Sequence, residues 1–515
     1  MSSPSGTSIA NDGTKTPPQV LEDEVKSPGL QMGALRRRTL MLSLSLTLFL
    51  AALDVTIVAT ALPTIARTLN ATAAQYAWVG SAYTLASTSS TPIWAKFSDI
   101  FGRKSVLLVA NGAFIAGSLV AALAPSATEL IGGRILQGLG GGGINILITI
   151  IIGDLFELKE RAKYYGLTAL VYAVASAVGP ILGGVFTQTI GWRWCFWINL
   201  PFEVLSILVL VFVLRLKSPT IPFAEGLMSL DWIGSIIIVG GTICFLFGLE
   251  TGASGSQGWS SDVVISLMTV GAVLLVSFFI YEAKLATNPI IPSHIFAKTT
   301  NLAAFATACI QSFVFIAYDY FLPLYFQVVL GFEPIISGVA LFALVIPLSL
   351  ATMAAGLFVA RTGDFLLPTR AAVVVMTAGT GLFISFDGTA SWVKIILFLM
   401  VAGVGTGPLF QMPMIALQSH VQPVDVAASM SAFNFMRSLF SSASIVVGSV
   451  ILQKSLPGDR LDLGHNGGGA DESASDDTRL YVHALRTMWI VYTSICGLML
   501  VATVFIRKAG GKKVR

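Results

Sequence analysis

Ala95-Lys96-Phe97-Ser98-Asp99-Ile100-Phe101-Gly102-Arg103-Lys104 is the stretch from which the rest of the chain can be placed. It carries four charges in ten residues, while Trp78 to Trp94 before it and Ser105 to Thr128 after it carry none. A break this short cannot hold a domain, so it reads as a tight turn joining two neighbouring membrane helices. Gly102 supplies the backbone freedom of the turn. Asp99 suits a helix N-terminus, and Lys96, Arg103 and Lys104 mark the cytoplasmic side.

Composition agrees. The 515 residues are 55% hydrophobic and 11% charged, with a mean hydropathy of +0.80, whereas soluble domains average about 25% charged residues. This excludes a soluble fold and points to an all-α polytopic membrane protein. The net charge of +4 is scattered over short loops and tails, so it argues for no nucleic-acid partner. Cys195, Cys244, Cys309 and Cys496 lie in or beside apolar runs without metal spacing, and read as free thiols. Residues 1–38 are too polar for a signal peptide and read as a disordered cytosolic tail.

About 20 apolar residues cross a bilayer. That ruler gives fourteen spans, at 40–62, 77–95, 105–124, 128–150, 165–187, 195–214, 231–250, 263–282, 301–321, 337–358, 371–386, 393–413, 428–452 and 487–506. With the N-terminus inside, 22 of the 31 Lys and Arg fall in cytoplasmic segments and 7 in outside loops; Arg134 and Arg437 fall within helices. The bias places both termini in the cytosol. Residues 453–483 read as a long hydrophilic outside loop and 507–515 as a basic cytosolic tail. Asn70-Ala71-Thr72 is a glycosylation sequon on the outer side.

Several residues carry chemistry. Asp54, in Leu53-Asp54-Val55-Thr56, is a carboxylate at mid-helix, where a charge is expensive and faces a cavity or a partner. It is either a protonatable or substrate-facing group, or a structural anchor hydrogen-bonded to neighbouring helices. Arg134 opens the run Arg134 to Gly143, with Gln137 inside it and Asn145 just beyond. A buried cation needs a partner, through coupling to a nearby acid or plain structural pairing. Ala175, Gly179 and Gly183 share a helix face, beside Pro180 and Gly184. Such a face serves flexing and sliding, or close packing alone. Gly191 to Pro201, with three tryptophans, reads as an interfacial anchor. Gln311, Tyr318, Asp319, Tyr320, Tyr325 and Gln327 cluster around the outer end of the ninth span, and Gln411, Gln418, Asn434 and Arg437 follow in the last third. These amides and aromatics line a pathway or bond helix to helix. No phosphate-binding loop, zinc spacing or nucleophile elbow occurs in the sequence, so no enzyme is expected.

The motifs together resemble the major facilitator superfamily. Ala95 to Lys104 resembles its loop signature between helices 2 and 3. Leu53 to Pro63, Arg134 to Gly143, Val178 to Gly184 and Trp192 to Pro201 resemble further signatures of its fourteen-helix drug:proton antiporter branch, including fungal toxin and multidrug efflux pumps. The resemblance covers residues 35 to 508. It implies fourteen transmembrane helices, as two six-helix bundles at 39–215 and 301–506 with two inserted helices at 231–282, working by alternating access. By the same resemblance Asp99, Gly102 and Arg103 form a conformational latch holding the two bundles, with Asp99 against a helix N-terminus of the second bundle. Asp54 and Arg134 are implied in proton coupling, and Gly179, Pro180, Gly183 and Gly184 form an antiporter motif. The substrate-pathway candidates are Gln137, Asn145, Gln311, Tyr318, Asp319, Gln411 and Asn434. Ala95 and Ala175 replace glycines usual in the family, and Ala360 to Asp364 is only a degenerate second copy of the loop.

The resemblance implies a proton-coupled exporter of small amphipathic organic compounds at the plasma membrane, with the vacuolar membrane as the other site. A siderophore-type uptake permease and a non-transporting receptor are the alternatives, and Gly179-Pro180 argues for export. The expected partners are a small molecule, protons and the lipid bilayer, with a monomeric protein, no cofactor beyond the proton gradient and no metal.

Overall fold

Within a bilayer each backbone N–H must find its acceptor inside the chain, and the described residues of this computed structural model meet that demand with helices and no strand. They are 33–214, 222–253, 258–332, 334–389, 391–455 and 473–508. Fourteen long helices run through them. The first bundle holds α1 (Ala34–Thr68), α2 (Ala73–Phe101), α3 (Arg103–Leu123), α4 (Ala127–Leu155), α5 (Leu158–Thr189) and α6 (Trp194–Val213). Then come α7 (Trp232–Ala253) and α8 (Asp262–Lys284). The second bundle holds α9 (Thr299–Leu324), α10 (Phe342–Thr362), α11 (Leu366–Leu382), α12 (Trp392–Leu409), α13 (Val426–Ser455) and α14 (Ser473–Val504). Thirteen are apolar enough to span a membrane. The exception, α2, is diluted by its hydroxyl run Ser87 to Thr91 but is 29 residues long and packs along α4.

Two sequence expectations shift at the ends. Ala34 to Arg38 belong to α1, because the first turns extend beyond the apolar run; residues 1–32 of the tail lie outside the described residues. Likewise α13 continues to Ser455 and α14 begins at Ser473. The expected 453–483 loop is therefore helical at both ends, and its middle lies outside the described residues.

Gly102 alone separates α2 from α3, at φ 89°. Only glycine adopts that region without strain. Its N–H closes on the Ser98 carbonyl at 3.1 Å. Gly363 ends α10 the same way, at φ 70° with its N–H on the Val359 carbonyl at 2.7 Å, so the degenerate second copy keeps the turn.

The bundles meet along α5–α10 and α2–α13, and the α7–α8 pair leans on α2 and α13, with Trp78 and Phe247 rings 4.6 Å apart. Their cores are unequal along the membrane normal. Toward the Gly102 turn, one apolar cluster runs through both bundles, from Leu147 and Tyr165 to Phe305, Met412 and Phe433. Toward the opposite end the clusters are separate, one around Ile57 and Phe196 and another around Tyr318 and Trp489. A cleft therefore separates the bundles and opens at the end away from Gly102.

Candidate functional site

Glycines bring the first bundle together. A methyl added at Gly140 would lie 2.5 Å from the Phe114 nitrogen, and one at Gly142 would lie 2.6 Å from the Ser87 carbonyl oxygen. Only bare backbone lets α4 wedge between α2 and α3 so closely. That approach buries the charged side chains beside it.

Asp54 on α1 and Arg134 on α4 are both buried and form an ion pair through Arg134 Nη1 and Asp54 Oδ2. Arg134 Nη1 also donates to Gln137 Oε1 at 2.9 Å, and Arg134 Nε to the Val79 carbonyl at 3.2 Å. The Tyr83 ring covers the guanidinium at 4.8 Å. Asp54 Oδ1 accepts Gln137 Nε2 and Asn199 Nδ2, each at 2.9 Å. Both amides also reach Ser118 Oγ, at 2.9 Å and 3.4 Å. One carboxylate thus ties α1 to α4 and α6, with α3 joined through Ser118. A buried ion pair holds only when its remaining lone pairs and protons are so satisfied. Arg134, Gln137 and Asn199 hold Asp54, an arrangement compatible with either reading of it. Gln137 is wholly buried in this cluster rather than facing the cleft. Asn199 and Ser118 were not legible as members. Asn199 lies within the Gly191 to Pro201 anchor, two residues after Trp197, and the only signal was a lone amide entering an apolar helix.

The glycine face of α5 packs on α1. Added methyls at Gly179 and Gly183 would lie 3.1 Å from the Ile57 nitrogen and 2.5 Å from the Ile57 carbonyl oxygen, whereas one at Gly184 meets nothing within 4 Å. Thr56 donates to the Ala175 carbonyl at 3.3 Å. The helix continues unbroken across Gly179-Pro180. Gly179 and Gly183 therefore let α5 approach α1 closely.

At the Gly102 turn, Arg103 bridges two acids, Asp99 at 2.5 Å and Asp154 at 2.8 Å, and donates to Ser98 at 2.7 Å. All four residues belong to the first bundle. Among the described residues no hydrogen bond runs from Asp99 to the second bundle, so the expected helix N-terminus is not its partner; Arg103, one helical turn away, takes the carboxylate first. The bundles are joined at this end by Gln418 instead. It accepts from Arg161 Nη1 at 3.0 Å and donates to Tyr165 Oη at 2.9 Å.

The other candidates divide. Asn145 is half-buried on α4. Gln311 accepts from Arg437 Nη2 at 3.0 Å. Gln411 is partly buried, with Oε1 unpartnered, and Asn434 donates to the Met430 carbonyl at 3.1 Å. Asp319 is exposed on α9. Tyr318 is not at the cleft: it is fully buried in the second bundle, 2.5 Å from Thr380 Oγ1. Asn70 is exposed at the open end, at φ 48°, ahead of the Thr72–Gln75 capping box of α2. Glu250 of α7, not singled out from the sequence, accepts from Ser81 of α2.

Two helical bundles around a cleft open at one end, with a buried ion pair in one of them, define the class: a multi-pass membrane carrier. Residues 44–445 match the description "Major Facilitator Superfamily", and the chain belongs to that superfamily. It is 42% identical over 487 residues to "Efflux pump dotC" of Dothistroma septosporum (strain NZE10 / CBS 128990), covering 91% of this chain and 84% of that one. It is 40% identical over 490 residues to "MFS-type transporter ppz2" of Metarhizium majus (strain ARSEF 297), covering 91% and 84%. Among solved structures, the proton:xylose symporter XylE has the same fold, with a TM-score of 0.61 at 13% identity over 90% of this chain and 94% of the other.

Proposed function

We propose that this transporter exports small amphipathic organic compounds of the secondary-metabolite, toxin or drug kind, driven by protons, at the plasma membrane and as a monomer. The observation that carries the coupling is the Asp54 carboxylate holding Arg134, Gln137 and Asn199 at once. A proton on Asp54 removes the charge that binds Arg134 and so loosens α1 from α4 and α6. Proton entry then becomes a change in helix packing. The direction is supported by a relative named an efflux pump.

The excess of Lys and Arg at the Gly102 end supports assigning that end and both termini to the cytosol. The cleft then faces outward, and Gln418 sits in the closed cytoplasmic gate. Asn70 then lies outside, where a glycan is expected; its loss in Asn70→Gln, read as a mass shift after deglycosylation, tests the orientation. Direction is tested by deleting the gene in the producing cell. An exporter's loss raises the intracellular concentration of its compound, and a fall would reverse the assignment to uptake.

A further inference from the structure

Arg437 on α13 differs from Arg134 in one decisive respect. Arg134 has a carboxylate against it; Arg437 forms no ion pair among the described residues. Its polar partner is the Gln311 side-chain carbonyl at 3.0 Å, and the Phe410 and Phe433 rings lie 4.9 Å and 5.7 Å from the guanidinium. Two N–H groups of this pair, Arg437 Nε and Gln311 Nε2, are buried with no acceptor. A cation inside a membrane bundle is costly and is kept where it meets a counter-charge, and among the described residues no side chain provides one.

The position is where a compound would rest. Gln311 and Arg437 each sit about 17 Å from the cytoplasmic ends of α9 and α13, at 1.5 Å per residue, which is mid-depth in a bilayer of roughly 30 Å. Thr88 of α2 bonds Ser438 at 3.2 Å beside it, so the first bundle closes on the same level. Phe315 packs edge-on to Phe410 at 5.0 Å and extends the aromatic wall. The acids of the open side, Asp319 on α9 and Glu250 on α7, lie nearer the mouth.

We propose that Arg437, with Gln311, receives an acidic oxygen of the transported compound, a carboxylate, phenolate or enolate, while the half-buried Phe410 takes its flat aromatic part. The cargo is then an aromatic organic acid. This rests on the transporter reading above and narrows its substrate class.

The test uses full-length protein in nanodiscs and two xanthene dyes of like shape and opposite charge, fluorescein and rhodamine 123, titrated by fluorescence anisotropy. Wild type is expected to prefer fluorescein. Arg437→Gln should weaken fluorescein about ten- to hundredfold, as losing a charge-assisted hydrogen bond does, without weakening rhodamine. Arg437→Lys, which keeps the charge, should stay within about tenfold of wild type and controls for folding. Preference for rhodamine, binding of neither dye, unchanged fluorescein binding in Arg437→Gln, or equal loss of both dyes in both variants would each overturn the assignment. Arg437-dependent fluorescein binding without energised efflux would leave it standing and overturn the exporter reading instead.

Discussion

Asn199, in the first turns of α6, donates to Asp54 Oδ1 of α1 at 2.9 Å, across 145 residues of chain. Gln137 meets the same oxygen and Arg134 the other. The carboxylate is therefore shared by three helices and cannot change its charge without all three responding. That separates this cluster from a plain structural ion pair, which would need only Arg134.

Removing one charge tests the distinction. Asp54→Asn leaves Arg134 buried and unpaired, at a cost of about 3–5 kcal/mol, read as a fall in thermal stability in detergent. The double variant Asp54→Asn/Arg134→Gln removes both charges and should recover most of that stability. Neither should support energised efflux. Wild-type efflux from the double variant would reduce the cluster to an anchor.

Packing makes the second prediction. Gly183→Val should force α5 from α1, because its Cβ falls 2.5 Å from the Ile57 carbonyl oxygen, and folded yield should drop. Gly184→Ala, with open space around it, should keep full activity and gain about 0.5–1 kcal/mol from the helix interior. Equal behaviour of the two would contradict the α1–α5 contact.

The Arg103 bridges should matter more for movement than for folding. Asp99 and Asp154 are roughly a third exposed, and such pairs contribute at most about 1 kcal/mol each. Asp99→Asn and Asp154→Asn should thus keep melting temperatures within a few degrees while transport slows several-fold. Wild-type rates in both variants would remove the turn from the transport cycle.

Gln418→Ala deletes the bonds from Arg161 and to Tyr165 that join the bundles at the closed end. We expect a shift toward opening at that end, seen as longer distances between spin labels on α5 and α13. An unchanged distance distribution would place the gate elsewhere, in the shared apolar core.

The turn at Gly102 was legible because it depends on neighbours in the chain: charge between apolar runs, and a glycine where φ must be positive. The same holds for the fourteen spans, whose lengths answer to the thickness of a bilayer. Asp54 and Arg134 were legible as charges needing partners, since an apolar surround makes any charge conspicuous. Their partnership with Asn199 and Ser118 was not, because an amide or hydroxyl in an apolar helix is cheap and common.

Sequence by itself determined the class, the helix count and the residues that must be satisfied, all properties of local hydropathy and charge. Tertiary structure decided who satisfies them. It gave Asp99 to Arg103 rather than to the second bundle, because a residue one turn away reaches it first. It put Tyr318 into a bundle core, left Arg437 without an acid among the described residues, and closed the bundles at one end only. Apart from the Asp99–Arg103 pair, which is one turn apart, these outcomes depend on which helices pack side by side, as over the 80 to 145 residues between Asp54 and its partners, and no local pattern along the chain encodes them.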